Sequence, residues 1–208
     1  MTIRAVLFDF DGTLTRPDAL DFATLRRRLG CPPRTAILEY IETLPAAKAR
    51  EKAHGILTDF EMAAARASVP SPGAEEAVAL LRDRGIGRGI LTRNTMASIR
   101  ESLKNFRAIT EAHFSVIVTR ESEGRPKPHP DGVLGAARIL GVAPREMLVV
   151  GDFVFDIAAG KAAGSPTVLV TNGRAAPDSR GPIVTPAVDV EPDYTIESLS
   201  ELAALLGL

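Results

Sequence analysis

The sequence predicts an α/β fold, a doubly wound parallel sheet with a small all-helical unit inserted after the first strand. Three observations carry this expectation. The apolar run from Ile3 to Phe8, broken only by Arg4, reads as a strand buried on both faces. From residue 74 onward, short apolar runs alternate with segments of helical period, the pattern of a parallel sheet covered on both sides. Between these two regions, residues 16–69 show helical spacing and no strand-like alternation.

Within the insertion, Phe22, Leu25 and Leu29 recur at helical spacing, and Gly30 followed by Pro32-Pro33 reads as a stop. Ile37, Leu38, Ile41 and Leu44 mark a second helix ending near Pro45, and the alanine-rich stretch from Ala46 to Val69 holds one or two more. Pro70-Ser71-Pro72-Gly73 is a turn cluster and a hinge candidate. The alternation then runs helix 74–84, strand 89–92, helix 96–106, strand 114–118, helix 131–140, strand 147–150, helix 155–163, strand 167–170 and a closing helix 198–206. Gly85-Ile86-Gly87-Arg88-Gly89 precedes a strand, whereas a dinucleotide fingerprint follows one, so it reads as a helix-to-strand connection. Residues 171–192, rich in Pro, Gly and Ser, read as a loop. The domain division expected is a core of residues 1–15 and 70–208, with 16–69 as the helical unit.

The bulk properties exclude several classes. The chain has 208 residues, 45% hydrophobic and 25% charged, with a net charge of -1, so no global field favours nucleic acid or an anionic membrane. Arg26-Arg27-Arg28 is the one dense basic run, and its helical setting reads as a solvated face. Cys31 is the only cysteine, which excludes an intrachain disulfide and a cysteine-based zinc site. His54, His113 and His129 form no ligand spacing. No apolar run has the length of a membrane span, and the first one leads directly into two aspartates rather than a signal-peptide pattern. The expectation is a cytoplasmic protein, monomeric by default, without nucleic-acid or membrane partners.

The chemistry-bearing residues gather where a doubly wound sheet binds ligands, off the carboxyl ends of its strands. Asp9 ends the first strand, and Asp11 follows two residues on, pointing the same way while the chain stays extended. Two such carboxylates at a buried strand end call for a cation, and oxygen ligands suit magnesium. Asp152 and Asp156, four apart after the apolar strand Met147 to Val150, also suit metal coordination. Lys127 precedes a helix, where its charge opposes the dipole, so helix stability does not explain it. The prolines at 126, 128 and 130 constrain the backbone on both sides of it, as an aimed lysine requires.

The run Asp9-Phe10-Asp11-Gly12-Thr13-Leu14-Thr15 resembles the first motif of the haloacid dehalogenase (HAD) superfamily, mostly magnesium-dependent phosphohydrolases with a Rossmann-like core. Ile90-Leu91-Thr92-Arg93-Asn94, Arg125-Pro126-Lys127-Pro128 and Val149-Val150-Gly151-Asp152-Phe153-Val154-Phe155-Asp156 resemble its later motifs, in the same order. The resemblance implies that Asp9 attacks phosphorus to form an aspartyl-phosphate and that Asp11 is the general acid and base. It implies phosphate binding by Thr92, with Arg93 and Asn94 beside it, and by Lys127. It implies Mg2+ held by Asp9, the Asp11 backbone carbonyl and Asp152, with Asp156 binding it through water or orienting the other ligands. Thr92 read alone is also a helix-cap candidate. Phe153 and Phe155 depart from the family's small hydroxyl residue after the first aspartate, and Arg93 separates Thr92 from the asparagine that the family places next to it.

The inserted helices correspond in position to the cap of relatives resembling phosphoglycolate phosphatase and β-phosphoglucomutase. Arg16, Arg26, Arg27 and Arg28 on the insertion are candidates to contact a substrate anion. The function expected is a phosphatase acting on a small phosphorylated metabolite. The alternatives are a phosphomutase, or a phosphate-binding protein of the same fold without turnover. The dehalogenase branch has no use for the acid at Asp11, and the phosphonate-cleaving branch lacks it.

Overall fold

The computed structural model describes residues 2–17, 21–33, 35–173 and 190–208. Its centre is a six-stranded, all-parallel sheet in the order β3-β2-β1-β4-β5-β6. The strands are β1 Ala5–Phe8, β2 Gly87–Leu91, β3 Val116–Val118, β4 Met147–Gly151, β5 Thr167–Val170 and β6 Tyr194–Ile196. In β1 all four residues are fully buried and divide between two cores. Val6 and Phe8 pack with Val78, Leu81 and Leu202 on one face. Ala5 and Leu7 pack with Val133, Ala136 and Ala159 on the other. This period-two division is why the strand reads as a continuous apolar run, and each large side chain so buried contributes roughly 1.5–3 kcal/mol.

Helices α4 (Ala74–Asp83) and α8 (Leu202–Leu206) supply the first face, and α6 (Asp131–Leu140) and α7 (Val154–Ala163) the second. α5 (Met96–Leu103) connects β2 to β3. The chain builds outward from β1 in one direction through β2 and β3, then in the other through β4 to β6. The crevice between β1 and β4, where this order reverses, is the expected ligand position.

The insertion consists of α1 (Phe22–Leu29), α2 (Ile37–Thr43) and α3 (Ala47–Ala67), closed around Leu25, Cys31, Ile37, Ile41, Ala53 and Leu57. The stretch from Ala46 to Val69 is thus one 21-residue helix. The chain leaves and re-enters the α/β layer at one point. Thr15 bridges Pro70, the Arg16 N–H donates to Val69 C=O at 2.8 Å, and the Ser71 N–H donates to Leu14 C=O at 2.9 Å. The α3 helix lies against α5, where Asn105 Nδ2 donates to Ala65 C=O at 3.0 Å.

One expectation is corrected: Gly87 and Arg88 are strand rather than connection, so that Gly87, Arg88 and Gly89 pair with Ala5, Val6 and Leu7. Gly89 is required there, since a Cβ would lie 2.6 Å from Val116 Cγ1. The loop expected over 171–192 falls largely on residues 174–189, outside the described residues; beyond it lies β6, a short edge strand with Tyr194 and Thr195 exposed. Among the described residues no helix is long and apolar enough to cross a membrane.

Candidate active site

The carboxyl ends of β1 and β4 face the same crevice, and the loops that follow them carry the acidic residues. Asp9 directly follows β1, is 9% exposed, and its N–H is fixed by Val150 C=O at 2.8 Å. Asp152 directly follows β4, and its carboxylate lies over the backbone of Gly12. A Cβ on Gly12 would stand 2.2 Å from Asp152 Oδ2, and the φ of +86° there independently favours glycine. Asn172, just past β5, donates from Nδ2 to the Gly12 carbonyl at 2.7 Å and so steadies this loop from a third strand.

Asp156 lies in the first turn of α7 and accepts the Phe153 N–H at 3.1 Å. That bond holds the loop through the carboxylate itself, with Phe153 at the position where the resemblance expects a small hydroxyl residue. Gly151 gives Asp156 its place, since a Cβ there would meet Asp156 Cγ at 2.2 Å. Lys127 is 4% exposed and donates to Asp9 Oδ1 and to Asp156 Oδ1, both at 2.5 Å. Burial opposes its charge, but Asp156 and Asp9 outweigh burial and hold the amine well above its ordinary pKa. For Asp156, burial together with Asp9 prevails over Lys127 and holds the carboxyl up at about 6.

Asp11 faces the same cavity and accepts a hydrogen bond from Asn94 Nδ2 at 3.1 Å. Burial, then the charge of Asp9, pushes its carboxyl up to about 6 against the pull of Asn94 and Lys127. Thr92, 4% exposed at the end of β2, accepts the Asn94 N–H at 3.1 Å, which leaves its own hydroxyl proton to donate. Thr92 does not cap α5: that place belongs to Thr95, whose side chain accepts the Ser98 N–H at 3.2 Å.

The structure therefore brings Asp9, Asp11, Thr92, Asn94, Lys127, Asp152 and Asp156 to one cavity of about 350 Å³. Arg93 lines the cavity as well, but its guanidinium reaches the insertion. It donates to both oxygens of Glu39 on α2, at 2.7 and 2.6 Å, and lies 5.0 Å from the centre of the Phe155 ring. A second ion pair joins insertion and core, Arg120 Nη1 to Glu61 Oε1 on α3 at 2.6 Å. Burial pushes Glu61 up to about 7 despite Arg120. Glu39, Glu61, Arg120 and Asn172 carry no motif signal in the sequence. Arg27 and Arg28 are exposed as the basic run predicts, whereas Arg26 is half-buried and lines the cavity.

Asp9, Asp152 and Asp156 each present a carboxylate oxygen within 4.8 Å of the others. An all-oxygen donor set is the chemistry of a hard divalent cation, and an ion there would relieve the repulsion among these carboxylates. The arrangement can thus place a metal, a lysine amine and a protonatable carboxyl around one reacting group.

A family model described as haloacid dehalogenase-like hydrolase matches residues 3–164. The chain is 35% identical over 206 residues to an uncharacterized hydrolase of Saccharomyces cerevisiae, a match covering 98% of this chain and 91% of that one. It is 30% identical over 189 residues to a phosphoglycolate phosphatase of Shigella boydii serotype 4, covering 89% of this chain and 68% of the relative. A HAD phosphatase from Thermococcus onnurineus superimposes with a TM-score of 0.68 at 25% identity, over 99% of this chain and 98% of that one.

Proposed function

Because the chain belongs to the haloacid dehalogenase-like hydrolases and is a phosphohydrolase of that family, we propose that it is a magnesium-dependent phosphatase of a small phosphomonoester, working through an aspartyl-phosphate on Asp9. The observation that supports this most is the convergence, off three strand ends, of Asp9, Lys127 and the Asp152–Asp156 pair around the cavity that Asp11 faces.

Lys127 holds one oxygen of Asp9, and the other is the nucleophile. As the bond from Asp9 to phosphorus forms and the bond to the leaving oxygen breaks, Asp11 gives its proton to that oxygen. A carboxyl held at about 6 retains a proton more readily than an ordinary aspartate. Asp11, now ionised, takes a proton from the water that attacks the phosphoryl group; the bond to Asp9 breaks, and phosphate leaves with Asp9 restored. Thr92 and Lys127 donate to the phosphoryl oxygens throughout. Asp9, Asp152 and the Asp11 carbonyl would hold magnesium, with Asp156 binding through water or orienting those ligands, and the ion would supply positive charge to the phosphoryl oxygens. Residues 16–69 act as a cap over the core of residues 1–15 and 70–208, shielding the reaction from bulk water.

The test is phosphate release from a panel of phosphorylated metabolites, with magnesium and with chelator. Phosphoglycolate belongs in the panel because of the relative that bears its name. Magnesium-dependent release supports the reading. Conversion of a sugar phosphate to its isomer without release would make the protein a mutase, and no turnover would make it a binding protein.

A further inference from the structure

The cavity is larger and more apolar than a phosphate and an ion require. The α/β layer supplies its polar floor, whereas Leu25, Ile37, Leu57 and Phe155 form much of the remaining wall. Its volume of about 350 Å³ falls in the range of pockets that enclose an organic ligand. Into this wall the insertion projects one cationic group. Arg26 lines the cavity, and its Nε is buried with no hydrogen-bond partner among the described residues. Its neighbours in the basic run are exposed, and Arg27 is bonded to Thr24 Oγ1 at 2.7 Å. With Nε closed off and unpartnered, the outer guanidinium nitrogens are what Arg26 can offer a ligand in the cavity. Arg120, by contrast, is already met by Glu61, Thr58 and the Arg93 carbonyl.

We infer that the chamber binds the alcohol part of the substrate as a mainly apolar body, of aryl or branched-alkyl size, bearing one carboxylate that Arg26 receives. This rests on the phosphatase reading for the position of the phosphoryl group at Asp9. It goes beyond that reading in fixing what the other end of the substrate is. A two-carbon acid would leave most of the apolar wall in contact with water, so the wall disfavours so small a leaving group.

The experiment titrates magnesium-loaded protein calorimetrically with methylphosphonate, benzylphosphonate and the meta- and para-carboxybenzylphosphonates, none of which can be hydrolysed at a phosphate ester. Benzylphosphonate should bind about tenfold tighter than methylphosphonate, and one carboxylate isomer about tenfold tighter again, the gain of one charge-assisted contact. In Arg26→Met the carboxylate advantage should vanish, and Arg26→Lys should keep part of it, with circular dichroism reporting the fold of both. Equal binding of all four ligands by the native protein, no binding at all, or a carboxylate advantage that survives in Arg26→Met would overturn the inference. Hydrolysis of the matching benzyl phosphates is followed in parallel. Carboxylate-dependent binding without hydrolysis overturns the phosphatase reading and supports the chamber assignment; hydrolysis without any preference for the carboxylate overturns the assignment alone.

Discussion

Lys127 Nζ stands 2.5 Å from Asp9 Oδ1 although 118 residues separate the two in the chain. The same amine is 2.5 Å from Asp156 Oδ1, so one buried cation ties the loop after β3 to the loops after β1 and β4. Removing it leaves two buried carboxylates facing each other. Lys127→Met should lose about 3 kcal/mol or more of stability near neutral pH in metal-free protein, as for other broken buried pairs. Urea denaturation measures this. Part of the loss should be recovered in acid, where the carboxylates take up protons.

Gly12 tests the metal centre without altering a ligand. With φ at +86° and Asp152 Oδ2 at 2.2 Å from the place of a Cβ, Gly12→Ala must displace either the loop or the carboxylate. The expected outcome is a magnesium requirement raised about tenfold or more, the scale on which misplaced support around a metal site acts. Thermal stabilisation by magnesium, titrated in both proteins, gives a readout apart from turnover. Coinciding titrations would show that Asp152 does not bind the ion.

Glu61 sets a pH dependence of stability. Its carboxyl is held at about 7 when folded, against 4.5 ordinarily, chiefly by burial, with Asp11 and Glu121 adding to it and Arg120 opposing. One of its oxygens is buried without a partner. A carboxyl raised on folding contributes stability that is fully present below about pH 4.5 and lost as the pH rises through about 7. Glu61→Gln removes this dependence. Relative to the native protein, the variant should gain about 3 kcal/mol between pH 4 and pH 8, from a shift of that size at about 1.4 kcal/mol per unit. Unfolding midpoints across pH in metal-free protein measure the difference, and parallel profiles would contradict it.

Arg93 and Glu39 join the core to the inserted helices through two hydrogen bonds. Their side chains are 20% and 36% exposed, so solvent screens the pair and its coupling should be modest, about 1 kcal/mol in a double-mutant cycle. If the pair holds the insertion over the site, Arg93→Ala should raise KM more than it lowers kcat. An unchanged KM would assign the pair to stability alone.

The parts of this architecture legible in sequence are those where one short segment carries the whole signal. β1 is buried on both faces, so Ala5 to Phe8 are all apolar, and the change to Asp9 marks the strand end. The same logic exposed Asp152 after β4 and Lys127 among its prolines. What was hidden depends on contacts distant in sequence or on side chains of ordinary surface type. Glu61 and Arg120 are 59 residues apart, and each reads as a solvated charge until α3 is laid over the core. Arg26 looks like its two exposed neighbours, and only the helix phase turns it to the cavity. β6 has three residues with two exposed at a sheet edge, too short for alternation to show. Gly87 belongs to β2 because close strand packing, rather than propensity, selects it.

The role of Asp9 as nucleophile is tested most directly by phosphate release from Asp9→Asn, with magnesium and a phosphomonoester that the native protein hydrolyses. A folded variant should work at about a thousandth of the native rate or less, because an amide oxygen does not form the acyl phosphate. Release within about tenfold of the native rate would show that phosphorus is attacked by another group.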